Sequence, residues 1–435
     1  MRARAATATG SLLMIGLFVA SAAAQGPTVI RTRLPNGLTV LVRENSVAPV
    51  VGISLMVKMG TRWETADNAG ISNLVQLMAV RGTPTRNGAQ IAEAADAMGG
   101  SIEATGDVDF SEIAATALSQ YWGEMLDLVA DIALRPTMPD GVFGAVRDFL
   151  LRQVRNRGEK PYDVGIDTLT ARTFGRHPYA WDLVGLKASL ERIDREALLV
   201  HYKRHYVPGG MVLAVSGRVK TAEVVAQATR LFGPVAAGAV PVASPSPPPA
   251  PAPWREVRIV PGAQAQILMG TLAPSLTDQD YAPVKVLGTV LGGGMAGRFF
   301  SELRDKAGLA YTTGTQYPTR VDNSYFLAHL GTAPENAARA ETALREQLER
   351  VRREPVSEDE LRVAKAYLLG NLAMDRRTNA RQAWYLAAYE EDRVGHEFLG
   401  RYVEAVRAVT AADVQRVAQR YLAVVRTVVV QPTPP

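Results

Sequence analysis

Short apolar runs separated by turn residues open the globular part of the chain. Thr28 to Val42 (TVIRTRLPNGLTVLV) predicts a hairpin of two strands turning at Pro35-Asn36-Gly37. Val51 to Val57 (VGISLMV) predicts another strand and runs into Gly60-Thr-Arg-Trp-Glu64. From Gly70 the period lengthens. Ile71, Leu74, Val75 and Met78 recur at helical spacing, Leu77 and Val80 add a second stripe, and Arg81-Gly82-Thr83 reads as the helix stop. The pattern predicts a buried helix.

Two stretches occur twice. Pro136–Leu151 resembles Pro355–Gly370: a proline, an acidic opening turn, then apolar residues at helical spacing. Ile193–His205 parallels Val409–Tyr421, with Asp194 and Thr410 at the helix-cap positions. Each of these helices leads into a β-rich segment, Met211–Val215 and Thr427–Val430. Two parallels at nearly the same offset predict an internal duplication and an α+β fold. Between the halves, Pro234 to Pro253 carries the run Ser244-Pro-Ser-Pro-Pro-Pro-Ala-Pro-Ala-Pro253, which predicts an extended, semi-rigid spacer.

Composition narrows the chemistry. The 435 residues include no cysteine, which excludes disulfides, thiolate metal sites and cysteine nucleophiles. Arg2 and Arg4, the apolar stretch Ser11–Ala20 and the small residues up to Ala24 predict a secretory signal cut after Ala24, with an uncleaved anchor as the alternative. Removing it lowers the formal charge of +5 by two, and no dense Lys/Arg block points to nucleic acid. No later segment is long and apolar enough to predict a membrane span. The expected layout is a signal over 1–24, an N-terminal half over 25–233, a linker over 234–254 and a C-terminal half over 255–435, with export to the periplasm or another extracytoplasmic space.

The strand, the Gly-x-Arg-x-Glu step at 60–64, the helix ending in Arg81-Gly82-Thr83, Tyr206-x-Pro208 and Gly217 together resemble the insulinase/pitrilysin family of zinc peptidases, which includes mitochondrial processing peptidase. The resemblance implies two homologous α/β-sandwich halves in a clam-shell arrangement. Active members carry His-x-x-Glu-His on this helix, two imidazoles for zinc and a glutamate base. Here the matching positions are Asn73, Gln76 and Leu77. The family's acidic ligand falls, counting back from Pro161, on Arg152 and Gln153. None of these suits a dication, so no metal is expected on this chain.

The five histidines offer no substitute. His201-Tyr-Lys-Arg-His205 has metal-like spacing but lacks a nearby acid and reads as a polar helix face. His177 matches a His-Pro turn and reads as structural, and His329 and His396 stand alone. In the second half, Leu291-Gly-Gly-Gly-Met-Ala-Gly and the following helix lack the Lys-Ser/Thr of a phosphate cradle. They resemble the family's carboxyl-half motif, in which an Arg and a Tyr seven residues later contact the substrate peptide. Arg304 and Tyr311 have that spacing, and Gly292, Gly293 and Gly294 would shape the same face. Otherwise Arg304 would pair with Glu302 or Asp305, and Tyr311 would pack. The resemblance implies the non-metal subunit of an exported heterodimeric peptidase, with zinc and His-x-x-Glu-His on a homologous partner and a peptide or unfolded protein as substrate. The alternative is a non-catalytic scaffold or peptide-binding protein.

Overall fold

The computed structural model describes residues 28–432. The signal-peptide reading of residues 1–24 therefore lies outside the described residues. The first half builds a six-stranded sheet from β1 (Val29–Arg33), β2 (Thr39–Glu44), β3 (Val50–Val57), β4 (Ser101–Gly106), β5 (Ser111–Leu118) and β6 (Met211–Gly217). Its helices are α1 (Ile71–Ala79), α2 (Gly88–Ala97), α3 (Trp122–Leu134), α4 (Asp140–Gly158), α5 (Pro161–Phe174), α6 (Lys187–Arg192), α7 (Arg195–His205) and α8 (Thr221–Phe232). The second half has β7 (Arg255–Val260), β8 (Ala265–Ala273), β9 (Thr312–Gln316), β10 (Ser324–Thr332) and β11 (Arg426–Pro432). Its helices are α9 (Tyr281–Gly292), α10 (Ala337–Arg353), α11 (Glu358–Asp375), α12 (Asn379–Glu391), α13 (Phe398–Ala408) and α14 (Ala411–Tyr421).

The sheet orders are β1-β2-β6-β3-β5-β4 and β7-β11-β8-β10-β9. With β1 set aside they are the same order in the same chain sequence, and in each sheet the one parallel pair is β2/β6 or β7/β11. This is the mixed α+β architecture of two sheets packed against helices that the repeats predict. The hairpin forms as expected, Val29 pairing with Arg43 through Arg33 with Thr39. Its turn needs Gly37, which has φ +97. Asp194 caps α7 by accepting from the Ala197 N–H at 2.8 Å, and Thr410 makes a capping box with Asp413. One boundary differs from expectation. The helix from Gly70 ends at Ala79, and Gly82 instead bridges to Asn87.

Strand periodicity then explains the core. On β3, Val51, Ile53, Leu55 and Val57 face the helices of their own half, while Met56 faces the other way. On that second face lies α12, from the other half, whose Ala383, Leu386, Ala387 and Ala388 pack with Leu41, Met56, Val212 and Ala214. The exchange is reciprocal. Val164 and Leu169 of α5 pack with Leu268, Leu327, Val428 and Val430 of the second sheet. Helix α12 packs backbone to backbone against β3, and α5 packs its backbone on a leucine side chain of β8. A Cβ on Gly52 would lie 2.4 Å from the Cα of Ala380, and one on Gly165 would lie 2.3 Å from Cδ1 of Leu268.

Polar groups fix α12 at both ends. Asn379 Nδ2 donates to the Val50 carbonyl at 2.8 Å, Arg31 pairs with Glu390 at 2.6 Å, and Lys58 with Glu391 at 3.2 Å. On the same face of the sheet, buried Ser54 donates to Glu112 at 2.5 Å. Burial nevertheless pushes the Glu112 carboxyl up to about 7. The proline-rich segment runs without regular structure along the surface, where Trp63 Nε1 donates to the Pro241 carbonyl at 3.3 Å and Pro249 meets Gly175.

Two predictions follow from this packing. Gly52→Val drives a branched side chain into the α12 backbone and should cost about 3 kcal/mol, seen as a lower urea midpoint. Gly144→Ala, at a point of α4 with open space around it, should instead stabilise by about 0.5–1 kcal/mol. Equal effects would disprove the tight exchange contact. For Glu112, the folded carboxyl binds its proton more tightly than the unfolded one. Its stabilising contribution is therefore complete below its ordinary value of 4.5 and is lost as pH rises through about 7. Denaturation at about pH 5 and about pH 8 should differ by roughly 2 kcal/mol more in the native protein than in Glu112→Gln.

Candidate functional site

Helix α1 starts without a side-chain cap of its own. Gly70 precedes it with φ +93, and the buried Glu64 carboxylate accepts from the N–H groups of Gly70 at 2.8 Å and Ser72 at 2.9 Å. A carboxylate at this positive helix end is electrostatically favoured, yet burial outweighs the donors and raises its pKa. Ile71, Leu74, Val75 and Met78 point into the core as their spacing predicts.

The three positions of the metal motif divide between two faces. Asn73 and Leu77, one turn apart, are half-buried, with Asn73 against Gly106 at the end of edge strand β4. Gln76 is 0% exposed, and its Oε1 accepts from the Tyr206 hydroxyl at 2.8 Å. Its Nε2 is buried without a hydrogen-bond partner. Arg152 and Gln153 lie exposed on α4, which packs beside α1. Two carboxamides, an alkyl group, a guanidinium and a third amide make no zinc site, since they offer neither anion nor imidazole. Among the described residues, no group of three or more His, Asp or Glu could hold a metal ion.

The histidine pair departs from expectation. His201 and His205 do not form a polar face: they are 7% and 0% exposed. Ser72 Oγ lies 3.0 Å from His201 Nε2, and His205 Nδ1–H donates to the Lys58 carbonyl at 2.5 Å. Burial lowers both imidazoles, to about 3 and about 4, so the pair is neutral. The i, i+4 spacing placed both rings inward, while Lys203 and Arg204 between them point to solvent. His177 is buried in its turn, accepting from the Tyr179 N–H at 3.1 Å. His329 packs edge-on to Tyr162, and His396 lies 3.4 Å from Glu390.

In the second half the equivalent place is the end of α9 beside edge strand β9. Gly292 is required there, because a Cβ would lie 2.5 Å from the Thr315 nitrogen. Gly294 has φ +70 and sits against the Tyr367 hydroxyl. Gly292 and Gly293 are half-buried, whereas Gly294, Met295 and Ala296 are exposed. The following helical segment, Phe299–Lys306, is wound wider than an α-helix. Arg298 anchors its start by a bidentate pair with Glu360 at 2.6 and 3.1 Å, which draws that carboxyl down to about 2. The sequence reading missed this anchor, although Ser357-x-x-Glu360 carries a visible capping-box spacing.

Arg304 projects from this segment to solvent with its guanidinium over the Phe300 ring at 4.7 Å. Neither expected acid engages it, since Glu302 pairs with Lys306 at 2.8 Å, and among the described residues Arg304 has no ion pair. Tyr311 stands at the start of β9, its N–H bonded to the Gly331 carbonyl at 2.8 Å. The ring is 56% exposed rather than packed, and the hydroxyl has no hydrogen-bond partner among the described residues. Arginine and tyrosine so placed can donate hydrogen bonds to a carbonyl or an oxyanion brought to β9.

Comparison with known proteins places this arrangement. Residues 39–185 match the family described as insulinase (peptidase family M16), and residues 192–368 match the peptidase M16 inactive domain. The chain is 28% identical over 395 residues to an uncharacterized zinc protease of Mycobacterium bovis, covering 90% of each. It is 26% identical over 405 residues to one of Rickettsia felis, covering 91% of this chain and 95% of the relative. The crystal structure of a peptidase M16 inactive domain from Pseudomonas fluorescens has the same fold, with a TM-score of 0.87 at 21% identity over 94% of this chain and 98% of that one. A protease from Helicobacter pylori superposes equally well, with a TM-score of 0.87 at 19% identity over 93% of this chain and 100% of that one. The chain belongs to peptidase family M16, the insulinase family, and is of its inactive type.

Proposed function

We propose that this chain is the non-metal subunit of an exported heterodimeric zinc peptidase. Its partner is a homologous subunit carrying His-x-x-Glu-His, and the zinc there would supply the Lewis-acid chemistry. Arg304 and Tyr311 act in trans. They bind the peptide along β9 and donate hydrogen bonds to the carbonyl under attack and to the oxyanion that follows. The observation that carries this reading is the pairing of an exposed, unengaged Arg304 and Tyr311 with metal positions occupied by Asn73, Gln76, Leu77, Arg152 and Gln153. The names of the zinc-protease relatives support the reaction class. Arg2, Arg4 and the apolar stretch to Ala24 support export to an extracytoplasmic space.

The test mixes the purified chain with the partner and follows cleavage of fluorescently labelled, unfolded casein. The chain alone should retain no zinc after dialysis and cleave nothing, and the mixture should cleave. In the mixture Arg304→Ala should lower kcat roughly a hundredfold and Tyr311→Phe about tenfold. Chelator-sensitive cleavage by the chain alone would overturn the proposal. A mixture that assembles but stays inactive would favour the scaffold reading. Because Gln76 is assigned to packing, Gln76→Met or Tyr206→Phe alone should cost about 1–2 kcal/mol, while the double variant recovers most of that loss and leaves the mixture's turnover unchanged.

A further inference from the structure

Where the exchanged α12 meets the connections of both sheets there is a cavity of about 280 Å³. Phe110, Trp384, Tyr385 and Tyr389 form its aromatic walls, with Trp384 5.0 Å from Tyr385 and 6.0 Å from Phe110 between ring centres. Two arginines also border it, and both are engaged. Arg320 donates to Asp107 at 3.0 Å, and Arg381 pairs with Asp375 at 2.7 Å while lying over Trp384. Asp109 is satisfied by the Tyr179 hydroxyl and the Val321 N–H. Asp392, at the end of α12, is different. It lines the cavity, and its Oδ1 is buried with no hydrogen-bond partner.

A buried carboxylate oxygen without a donor is costly, and aromatic faces beside it select a particular kind of guest. An anion would face the carboxyl groups of Asp107, Asp109 and Asp392, whereas a cation with N–H groups satisfies the unpartnered oxygen and the rings together. We propose that this cavity binds a small aryl- or alkylammonium ion, whose N–H groups donate to Asp392 and whose body lies against Trp384 and its aromatic neighbours. The ammonium belongs either to a free amine or to a lysine side chain. The site uses none of the residues assigned to the peptide clamp. Burial, together with Glu391, Asp109 and Asp107 and against Lys58, holds the Asp392 carboxyl well above its ordinary range. Arg320 and Arg381 border the same space, each already paired. A bound ammonium therefore displaces a proton from Asp392, and affinity rises with pH.

Calorimetry on the purified full-length protein tests this with benzylamine and its uncharged counterpart benzyl alcohol. Benzylamine should bind more tightly at about pH 8 than at about pH 6, release a proton and quench tryptophan fluorescence. Asp392→Asn should weaken it roughly tenfold or more, with its own melting temperature reporting that it is folded. Benzylamine, and not benzyl alcohol, should raise the melting temperature of the native protein, a readout that needs no variant. Binding of N-acetyl-lysine methylamide would assign the site to lysine side chains, and binding of benzylamine alone would assign it to free amines. Equal binding of benzyl alcohol, unchanged affinity in Asp392→Asn, or no response to benzylamine would each overturn the proposal.

Discussion

A sheet buried on both faces needs two apolar coverings, and neither half of this chain supplies both of its own. The six-stranded sheet takes its second cover from α12, and the five-stranded sheet takes its from α5. Both covers lie close: backbone of α12 leaves no room for a Cβ at Gly52, and Gly165 of α5 lies against the Leu268 side chain. Pulling the halves apart would strip both helices from the sheets they cover. It would expose Leu41, Met56 and Val212 in one half and Leu268, Leu327 and Val428 in the other. At about 1.5–3 kcal/mol for each large side chain returned to water, such an opening approaches the cost of unfolding.

The seam between the halves adds specificity to that exchange. Arg62 reaches Asp322 through two hydrogen bonds at 2.7 and 3.0 Å, Arg320 reaches Asp107, and the loop carrying Arg320–Asp322 also bonds to Asp109 and Tyr179. Partly buried ion pairs give little net stability after desolvation. Their value lies in register. A shifted docking of the loop would part Arg320 from Asp107 and take the Val321 N–H away from buried Asp109, which costs more than the correct pairing gains.

The duplication, the α+β class and the strands were legible because alternation and capping are local. Asp194 and Thr410 each serve one helix end, and nothing distant alters that. The exchange was not legible. Leu41 and Met56 sit inside apolar runs that say both strand faces are buried, and no local pattern states which helix buries them. The ring pair of His201 and His205 misled for a related reason. Lys203 and Arg204 made the stretch read as polar, although helical geometry points the residue two places along away from the face shared by i and i+4, and the long Arg204 side chain reaches solvent from the flank of that face. The degenerate metal positions were readable as chemistry, but the burial of Gln76 against Tyr206 was not, since its partner lies 130 residues away.

The equivalence of the halves sharpens the meaning of the exposed pair. Helices α1 and α9 hold the same place in the repeat, as do strands β4 and β9, so each half presents a helix beside an edge strand. In the first half this place is closed: Gln76 is turned inward, and Asn73 leans on Gly106. In the second half it is open, because Gly292 lets the end of α9 lie flat on β9 and the wide-wound segment carries Arg304 outward. Arg298 and Glu360 hold that segment from the buried side, and among the described residues Arg304 has no ion pair there. An edge strand normally needs protection from unwanted pairing, and charged or bulky residues near it are a common means. Arg304 and Tyr311 could serve that end as well as a peptide clamp. The two roles differ in one respect: protection needs only charge and bulk, and lysine and phenylalanine would provide both. A hydrogen-bonding clamp needs the planar guanidinium fork and the phenolic hydroxyl themselves.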